Sequence, residues 1–218
     1  MNFKAPDIEN WWADYSEHYD GRTWKDYRRI LAEFVLYAEE YPLLDVGCGY
    51  GFLLECARRF GIPATGLEGS VSAIERCKKV HPLIDVLPWR GGEALPFEAN
   101  QIGGAVLNEF IDHISVEQNG FLFSELRRVL KPKGLLLVKS PSKYNQLDQD
   151  TGHITFFSAE EFKEFVESFG FEVLEQPYVY RPIFGSSGTS LLATRLITKA
   201  YKPDKWALRI DLIARKGG

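Results

Sequence analysis

The pattern of apolar and polar positions along this chain alternates between two periods, and the alternation predicts an α/β fold. Short, largely apolar runs are typical of buried strands, and they occupy residues 43–46, 64–67, 83–87, 102–107 and 135–138. Longer stretches between them repeat their apolar residues every three or four positions, as helices do, at 51–60, 70–79 and 118–130. Strands and helices in this alternation form a parallel sheet with helices on both faces.

The pattern after residue 140 predicts a different end to the sheet. A polar loop at 140–155 leads to a helix with Ser158 as its N-cap and Glu161 in the capping-box position. A sixth strand begins at Phe171, residues 181–205 form an insertion, and residues 207–214 form a seventh strand, antiparallel and paired with the sixth. We therefore expect a Rossmann-like, seven-stranded sheet that is mostly parallel, with an antiparallel last strand.

Residues 1–41 are rich in aromatic side chains and predict a helical cap on this core. The helical pattern breaks at Gly21, so we expect a short helix, a turn and a second helix over about 23–40. Most of the aromatic residues are interpreted as packing. Those before Gly21, including Tyr19, are more than one short helix buries on one face, and they are candidates for a pocket or lid. The chain then reads as one domain, with a cap at 1–41 and a core at 42–218.

Composition and charge narrow the class of protein. The 218 residues suit a single domain, and a net charge of −4 argues against a general binder of nucleic-acid backbones. The three cysteines, at 48, 56 and 77, have no metal-ligand spacing and read as reduced intracellular thiols. The start of the chain shows no signal-peptide pattern, and no run approaches the ~20 apolar residues that span a bilayer. We expect a cytoplasmic monomer or homodimer without a nucleic-acid partner or a membrane span.

The stretch at 43–54 carries the strongest functional signal. It runs from an apolar strand through Gly47, Gly49 and Gly51 directly into a helix. Glycines let a ligand approach the backbone, and the helix offers its unpaired N–H groups to the same turn, as in nucleotide-cofactor sites. Because ligands bind beyond the carboxyl ends of parallel strands, the segments 68–70, 88–95, 108–113 and 140–155 are expected to complete the site.

Two acidic residues and one aromatic residue indicate which cofactor fits. Glu68 follows the second strand, where a carboxylate accepts hydrogen bonds from ribose hydroxyls. Asp45 precedes the first glycine, where it would repel a pyrophosphate and attract an ammonium group. Phe52 interrupts the G-x-G-x-x-G spacing that dinucleotides prefer. S-adenosylmethionine, which carries an ammonium group and a sulfonium but no phosphate, matches this pattern, and a nicotinamide dinucleotide stays the alternative.

An ordered set of motifs resembles the class I S-adenosylmethionine-dependent methyltransferases. Residues 43–51 resemble their motif I, Glu68 resembles their ribose-binding acid, and residues 126–134 are similar to their L-x-x-x-L-K-P-G-G turn. Residues 92–97 resemble the stretch before the fourth strand. Residues 152–158 and 170–173 resemble the late region of the ubiquinone-biosynthesis-like and saccharide-modifying branches. The resemblance covers about residues 15–180, with the last strand also in place.

This resemblance implies S-adenosylmethionine as the cofactor and S-adenosylhomocysteine as its product. Many members carry an acid near position 91 that binds the adenine amino group, whereas this chain has Gly91, so we expect backbone groups of 92–95 to hold the adenine edge. The usual Asp before the fourth strand is also missing from 100–106, where Gly103 and Gly104 are expected to loosen the start of the strand. The implied cofactor-binding residues are Tyr19, Asp45, Gly47, Cys48, Gly49, Gly51, Glu68, Gly69, Ser70, Gly92, Glu93, Ala94, Leu95, Asn108 and Glu109.

Two histidines are the catalytic candidates. Methyl transfer from a sulfonium needs a general base only when the acceptor atom holds a proton at neutral pH, and His153 and His113 suit that role. Their alternative roles are to brace the 153–156 loop and to pack under the cofactor loop. If residues 109–113 were helical, Glu109, Asp112 and His113 would share one face. Three side chains without fixed geometry are a weak indication of Mg²⁺, so we predict no metal.

The main prediction is therefore methylation of a small-molecule acceptor, on oxygen, with saccharide or quinone-like compounds as the first candidates. Methylation of nitrogen or carbon in a natural-product intermediate is the alternative within the same class. A nicotinamide-dependent oxidoreductase and a non-catalytic S-adenosylmethionine-binding subunit are the alternatives from other classes.

Overall fold

A computed structural model of the protein describes residues 21–145, 153–175, 179–180 and 207–218. Its elements in chain order are a 3-10 helix at Trp24–Tyr27, α1 (Arg28–Tyr37), β1 (Leu43–Val46), α2 (Phe52–Arg59), β2 (Ala64–Glu68), α3 (Val71–Val80), β3 (Asp85–Pro88), β4 (Ile102–Asn108), a 3-10 helix at Ile111–His113, α4 (Val116–Val129), β5 (Leu130–Pro141), α5 (Ala159–Ser168), β6 (Phe171–Glu175), β7 (Val179–Tyr180) and β8 (Ala207–Lys216). In the part of the chain that the structure describes, no helix is both long and apolar enough to cross a membrane.

The strands form one sheet in the order β3-β2-β1-β4-β5-β8-β6, and the two-residue β7 also pairs with β8. The β1, β2, β3, β4 and β5 pairings are parallel, whereas β8 runs antiparallel to both β5 and β6. The predicted Rossmann-like sheet with an antiparallel last strand is confirmed. The strand order reverses between β1 and β4, and their carboxyl ends form the switch point at which ligands bind in open α/β sheets.

Apolar side chains of the strands pack on both faces of this sheet. Leu44 and Val46 contact the cluster that includes α4 and α5, whereas Leu43 faces the cluster that includes α1 and α2. This alternation is the two-residue period of a strand, and both faces are apolar because helices cover both. The result is a rigid base from which the loops at the carboxyl edge project.

Several predicted boundaries differ from the observed ones for local reasons. The helix expected over 23–40 starts as a 3-10 helix, capped by Thr23, and α1 ends at Tyr37. The third strand begins at Asp85, since the N–H of Ile84 donates to the carbonyl of His81 in a turn. The helix α4 begins earlier than residue 118 because Ser115 forms a capping box with Gln118. The strand β5 likewise starts earlier, at Leu130.

The glycines at the start of β4 also have a packing role, beside the register shift in the β4–β5 pairing between Ile102 and Gly104 that agrees with a loosened strand start. A β-carbon at Gly103 would lie 2.2 Å from the backbone carbonyl carbon of Glu40 and 2.2 Å from the amide nitrogen of Tyr41. A β-carbon at Gly104 would meet the ring of Phe34 at 2.6 Å. The missing side chains therefore let the end of the cap segment cross directly over β4.

Candidate functional site

The glycine turn after β1 lies at the switch point of the sheet. The N–H groups of Gly47 and Cys48 donate to the carbonyl of Leu67, at 2.9 and 3.0 Å, and tie the turn to β2. Gly47 has a positive φ of 73°, and a β-carbon there would lie 2.3 Å from the ring of Phe110. Gly51, also at positive φ, is the N-cap of α2. The turn is therefore packed against Phe110 of the loop after β4.

Glu68, at the end of β2, is held by backbone donors. Its carboxylate accepts hydrogen bonds from the N–H groups of Gly49 at 2.9 Å, Gly69 at 2.7 Å and Ser70 at 2.9 Å. The Ser70 side chain in turn caps α3 by accepting from the N–H of Ala73. These bonds hold the carboxylate in place at the glycine turn, in the position predicted for a ribose-binding acid.

Asp45 is in a different environment, although it is equally buried. It faces Gly66 in the register of β1 and β2, so its side chain shares a face of the sheet with Glu68, two positions further along β2. It is 4% exposed, and no hydrogen-bond donor reaches its carboxylate within the described residues. Burial, with the nearby charge of Glu68 as a second cause, raises the pKa of Asp45 to about 8. The site thus holds a buried acid that a cation would stabilise in its charged form.

The loop after β3 is built around Trp89. The indole is 5% exposed, donates from Nε1 to the carbonyl of Glu93 at 3.1 Å, and packs against Phe110 at a ring distance of 6.0 Å. Of the residues predicted to hold the adenine edge, Leu95 has its backbone N–H bonded to Glu125 and its carbonyl bonded to Arg128. The segment is therefore anchored to α4. Both backbone groups of Glu93 are bonded within the loop, to Arg90 and Trp89, so the backbone of Gly92 and Ala94 is the closer match to that prediction.

The segment after β4 does not have the predicted helical arrangement. Glu109 adopts a positive φ of 54°, and only Ile111–His113 form a 3-10 helix. The N–H of Glu109 donates to the carbonyl of Lys139 at 2.7 Å, and the carboxylate of Glu109 forms an ion pair with Arg209 of β8. The hypothesis that Glu109 shares a face with Asp112 and His113 is therefore wrong, because the left-handed residue separates them.

Both candidate histidines meet at Asp112. His153 Nε2 lies 2.9 Å and His113 Nε2 lies 3.5 Å from Oδ2 of Asp112, and the two imidazole centroids are 4.7 Å apart. The hydroxyl of Ser140 donates to Oδ1 of the same carboxylate at 3.0 Å. Burial opposes ionisation of Asp112, but the hydrogen bond from His153 and the charges of both histidines lower its pKa overall. The carboxylate is thus an ionised support for two imidazoles.

The backbone connects this group to the loop after β5. The carbonyl of Asp112 accepts from the N–H groups of Ile154 at 2.8 Å and Thr155 at 3.2 Å, and Thr155 Oγ1 donates to the carbonyl of Ile114. The His153 side chain is only 6% exposed, whereas that of His113 is 17% exposed. His153 and the two residues after it thus tie the loop to Asp112, and His113 is the more accessible imidazole.

The same three residues have the composition of a metal site. One ligand atom from each of Asp112, His113 and His153 lies within 4.8 Å of the others. Imidazole nitrogen and carboxylate oxygen are ligands of zinc and related divalent ions. The set differs from the one considered from the sequence, because His153 replaces Glu109.

Sequence reasoning missed Tyr27 and Arg22, which both lie in the segment before β1. Tyr27 has a raised pKa because it is buried, and the charges of Asp45 and Glu109 raise it further, while a hydrogen bond with Arg22 opposes the shift. The hydroxyl of Tyr27 thus lies within the electrostatic reach of both carboxylates. Aromatic spacing marked Tyr27 only as a packing residue, and nothing in its local pattern distinguishes the polar end. The predicted Tyr19, like residues 146–152 and the 181–205 insertion, lies outside the described residues.

Comparisons with known proteins agree with this geometry. A family described as "Methyltransferase domain" matches residues 15–176. The ubiquinone biosynthesis O-methyltransferase, mitochondrial, of Schizosaccharomyces pombe is 33% identical over 109 residues, which cover 46% of this chain and 38% of that protein. A "probable S-adenosylmethionine-dependent methyltransferase" of Mycolicibacterium smegmatis is 29% identical over 140 residues, 60% of this chain and 52% of that one. The chain thus spans about half or less of the length of these curated relatives.

A solved structure extends the likeness to the whole described fold. The SAM-dependent methyltransferase from Archaeoglobus fulgidus superposes with a TM-score of 0.67 over 94% of this chain and 99% of that one, at 19% identity. At this identity the likeness concerns the architecture.

Proposed function

The chain belongs to the class I S-adenosylmethionine-dependent methyltransferases, and we propose that it methylates an oxygen atom of a small molecule, with saccharide or quinone-like acceptors as the first candidates. The observation that carries the proposal is the Asp112–His113–His153 group. Its Asp112 and His113 lie in the loop after β4, and Phe110 of the same loop packs on the glycine turn. The likeness to a ubiquinone biosynthesis O-methyltransferase supports an oxygen acceptor, although it covers 46% of the chain.

The family identifies S-adenosylmethionine as the cofactor, and the residues at the switch point fit its charges. Asp45 is a buried carboxylic acid that no donor of the described residues reaches, and it is suited to an ammonium group. Glu68 is preorganised for hydroxyls. We assign Gly47, Cys48, Gly49 and Gly51 to the methionine side of the turn, with Asn108 and Glu109 beyond β4. We assign Gly69, Ser70 and residues 92–95 to the ribose and adenine end of the cofactor. Tyr19 remains a predicted member of the set.

The chemistry asks little of the protein beyond alignment. S-adenosylmethionine supplies an electrophilic methyl carbon on a positively charged sulfur, a good leaving group. Residues around the turn hold that carbon in line with the acceptor and exclude water. We assign His113 as the general base that takes the hydroxyl proton as the oxygen–carbon bond forms and the carbon–sulfur bond breaks. Asp112 stabilises the resulting imidazolium, and His153 holds Asp112 and the loop in place.

Two calorimetric titrations test the cofactor part of the proposal. Purified protein is titrated with S-adenosylmethionine and, separately, with reduced nicotinamide dinucleotide. Binding of the first and not of the second is expected, since Asp45 can pair with an ammonium group, which the dinucleotide lacks, and Phe52 interrupts the glycine spacing that dinucleotides prefer. Binding of the dinucleotide in place of S-adenosylmethionine would refute the assignment.

Labelled methyl transfer into a cell extract then tests turnover and identifies the acceptor. With that acceptor, His113→Asn is expected to lower kcat and to remove the acidic limb of the pH–rate profile. Unchanged turnover in His113→Asn would indicate an acceptor atom that carries no proton to be removed, which is the outcome expected for methylation of an unprotonated nitrogen. No methyl transfer, with intact S-adenosylmethionine binding, would instead indicate a non-catalytic subunit.

A metal-assisted form of the same reaction is the second candidate, because the three ligand atoms of Asp112, His113 and His153 are close enough to share an ion. A bound divalent ion would lower the pKa of an acceptor hydroxyl. Loss of turnover with a chelator, restored by one divalent ion, would favour this form over simple base catalysis.

A further inference from the structure

A cluster of charged residues lies at the carboxyl edge of β4 and β5, where β8 begins. Arg209 faces Pro141 of β5 in the sheet register, and its guanidinium pairs with Glu109 at the end of β4. Behind this pair, Lys139 contacts Asp211 at 3.3 Å and Glu33 at 2.7 Å. We call these five residues the sheet-edge charge cluster. The mechanism derived above uses only Glu109 of the five, and only as part of the methionine side.

The cluster has an accessible front and a buried back. The side chains of Arg209 and Glu109 are 33% and 21% exposed, whereas those of Lys139 and Asp211 are each 9% exposed. A ligand at this edge therefore meets the Glu109–Arg209 pair first. Lys139 and Asp211 act on it through their charges.

The pair also lies on the cofactor side of the edge. β1 and β4 are parallel neighbours, with Asp45 opposite Val106. Glu109 directly follows the end of β4, so it lies at the same edge of the sheet as the glycine turn, to which the methionine end of the cofactor is assigned. Glu109 begins the segment that carries Asp112 and His113. The pair is thus placed between the methionine end of the cofactor site and the proposed base, where an acceptor must sit to receive the methyl group.

The charges of the cluster determine what kind of group it can accept. Glu33, Glu109 and Asp211 are acidic and Lys139 and Arg209 are basic, which leaves one net negative charge. One carboxylate oxygen, Asp211 Oδ1, is buried without a hydrogen-bond partner among the described residues and lies 3.9 Å from Nε of Arg209. An anionic ligand on Arg209 would face both Glu109 and Asp211, and like charges at this range are costly in a partly buried site.

We propose that the Glu109–Arg209 pair forms a wall of the acceptor site and that it selects a neutral, hydroxyl-bearing acceptor over one that carries a carboxylate or phosphate. A hydroxyl donates to the Glu109 carboxylate and accepts from the Arg209 guanidinium, so both members of the pair stay satisfied. This selection rests on the proposed function, since it names the class of acceptor for the same reaction.

The test compares two ligands of the same shape that differ in charge. Binding of benzyl alcohol and of benzoate is measured by saturation-transfer NMR on wild type, Glu109→Gln and Arg209→Gln, each with and without S-adenosylhomocysteine. Wild type is expected to bind benzyl alcohol at least about tenfold more tightly than benzoate, the effect of roughly one nearby charge in a partly solvated site. Glu109→Gln should reduce this preference by about tenfold, and Arg209→Gln should weaken both ligands while keeping the preference.

Matched controls and the cofactor separate the possible failures. Glu40→Gln removes one carboxylate of an exposed ion pair, with Lys131, and should leave the preference unchanged. The proposal would be overturned if wild type bound benzoate more tightly than benzyl alcohol and Arg209→Gln lost this preference. It would also be overturned if neither ligand bound to any of the three proteins. If S-adenosylhomocysteine itself does not bind, the proposed function fails, while the measurements without it still test the charge preference.

Discussion

The two buried carboxylates of the cofactor site lead to a quantitative prediction about protons. Asp45 and Glu68 lie on neighbouring strands, but Glu68 accepts three backbone hydrogen bonds and Asp45 accepts none from the described residues. Donors stabilise the charged form of a carboxylate, and burial without donors destabilises it. Without a ligand at neutral pH, Asp45 should therefore be protonated. Besides Glu68, the titratable groups that sense Asp45 are Tyr27, Cys48 and Cys77.

The shift gives both the size and the sign of the effect on stability. The pKa of Asp45 rises from 3.8 to about 8, about four units, and at about 1.4 kcal/mol per unit this is on the order of 5 kcal/mol. Because the pKa of Asp45 is higher in the folded state than in the unfolded state, protonation of Asp45 favours folding. This contribution to the free energy of unfolding is fully present below pH ~4 and is lost as the pH rises through 8. The asparagine side chain of Asp45→Asn cannot ionise. The free energy of unfolding of this variant should therefore not show the fall that ionisation of Asp45 causes in wild type as the pH rises. The variant should be the more stable protein at pH 8 to 9 in the absence of ligand.

Cofactor binding should show the same proton. An ammonium group favours ionised Asp45, so binding should release about 0.9 proton at pH 7, the fraction of a group with a pKa of about 8 that is protonated there. Calorimetric titrations with S-adenosylhomocysteine in two buffers of different ionisation enthalpy measure this number directly. Affinity should rise with pH up to about 8.

The controls decide whether Asp45 is the source. Asp45→Asn should bind the ligand more weakly and release no proton, whereas Asp85→Asn, on the exposed side of β3, should behave as wild type. Binding by wild type without proton release at pH 7 would refute the reasoning, and so would the same release in Asp45→Asn.

Three further predictions concern other parts of the chain. Glu68→Gln should weaken S-adenosylmethionine binding by about 1–3 kcal/mol, since it loses charged hydrogen bonds, and calorimetry that shows an unchanged Kd would remove the ribose assignment. His153→Asn should lower turnover of the acceptor while it spares cofactor affinity; equal kcat in steady-state assays would argue that its support of Asp112 is dispensable. Gly103→Ala should destabilise the protein by about 1–3 kcal/mol or more in denaturant unfolding, since its β-carbon would overlap the backbone at 40–41. Gly120→Ala, a helical position with its nearest contact at 3.6 Å, should instead be neutral or stabilising by roughly 0.5–1 kcal/mol, and equal losses in both variants would contradict the packing argument.

The local geometry of the glycine turn and its neighbour Glu68 could be predicted closely from the sequence. The strand, the glycine turn and the following helix are adjacent in the chain, and Glu68 ends the next strand. Caps such as Ser70 and Ser158 were predictable for the same reason, because a cap bonds a residue only three positions away. The boundaries were less accurate where a local turn or a capping box extended or shortened an element, as at Asp85 and Ser115.

The acceptor half could not be predicted to the same depth. His113 and His153 were identified as candidates by residue type, but their common partner Asp112 was placed on a face with Glu109. That placement failed because a non-glycine residue with positive φ leaves no mark in the hydrophobic pattern. The partners of Glu109 and Lys139, at 209 and 211, lie in the last strand, and no spacing rule links them.

Sequence by itself thus determined the order and type of the elements, the glycine turn and its acidic partners, because periodicity, turns and caps are properties of neighbouring residues. Tertiary structure decided the rest. It inserts β8 between β5 and β6, brings Arg209 to Glu109 and joins the loop at 153–155 to Asp112. It also sets how deeply Asp45 is buried, and hence whether that residue carries a proton. These features depend on which distant surfaces pack together, and the free energy of that packing is shared over the whole core rather than carried by any local pattern.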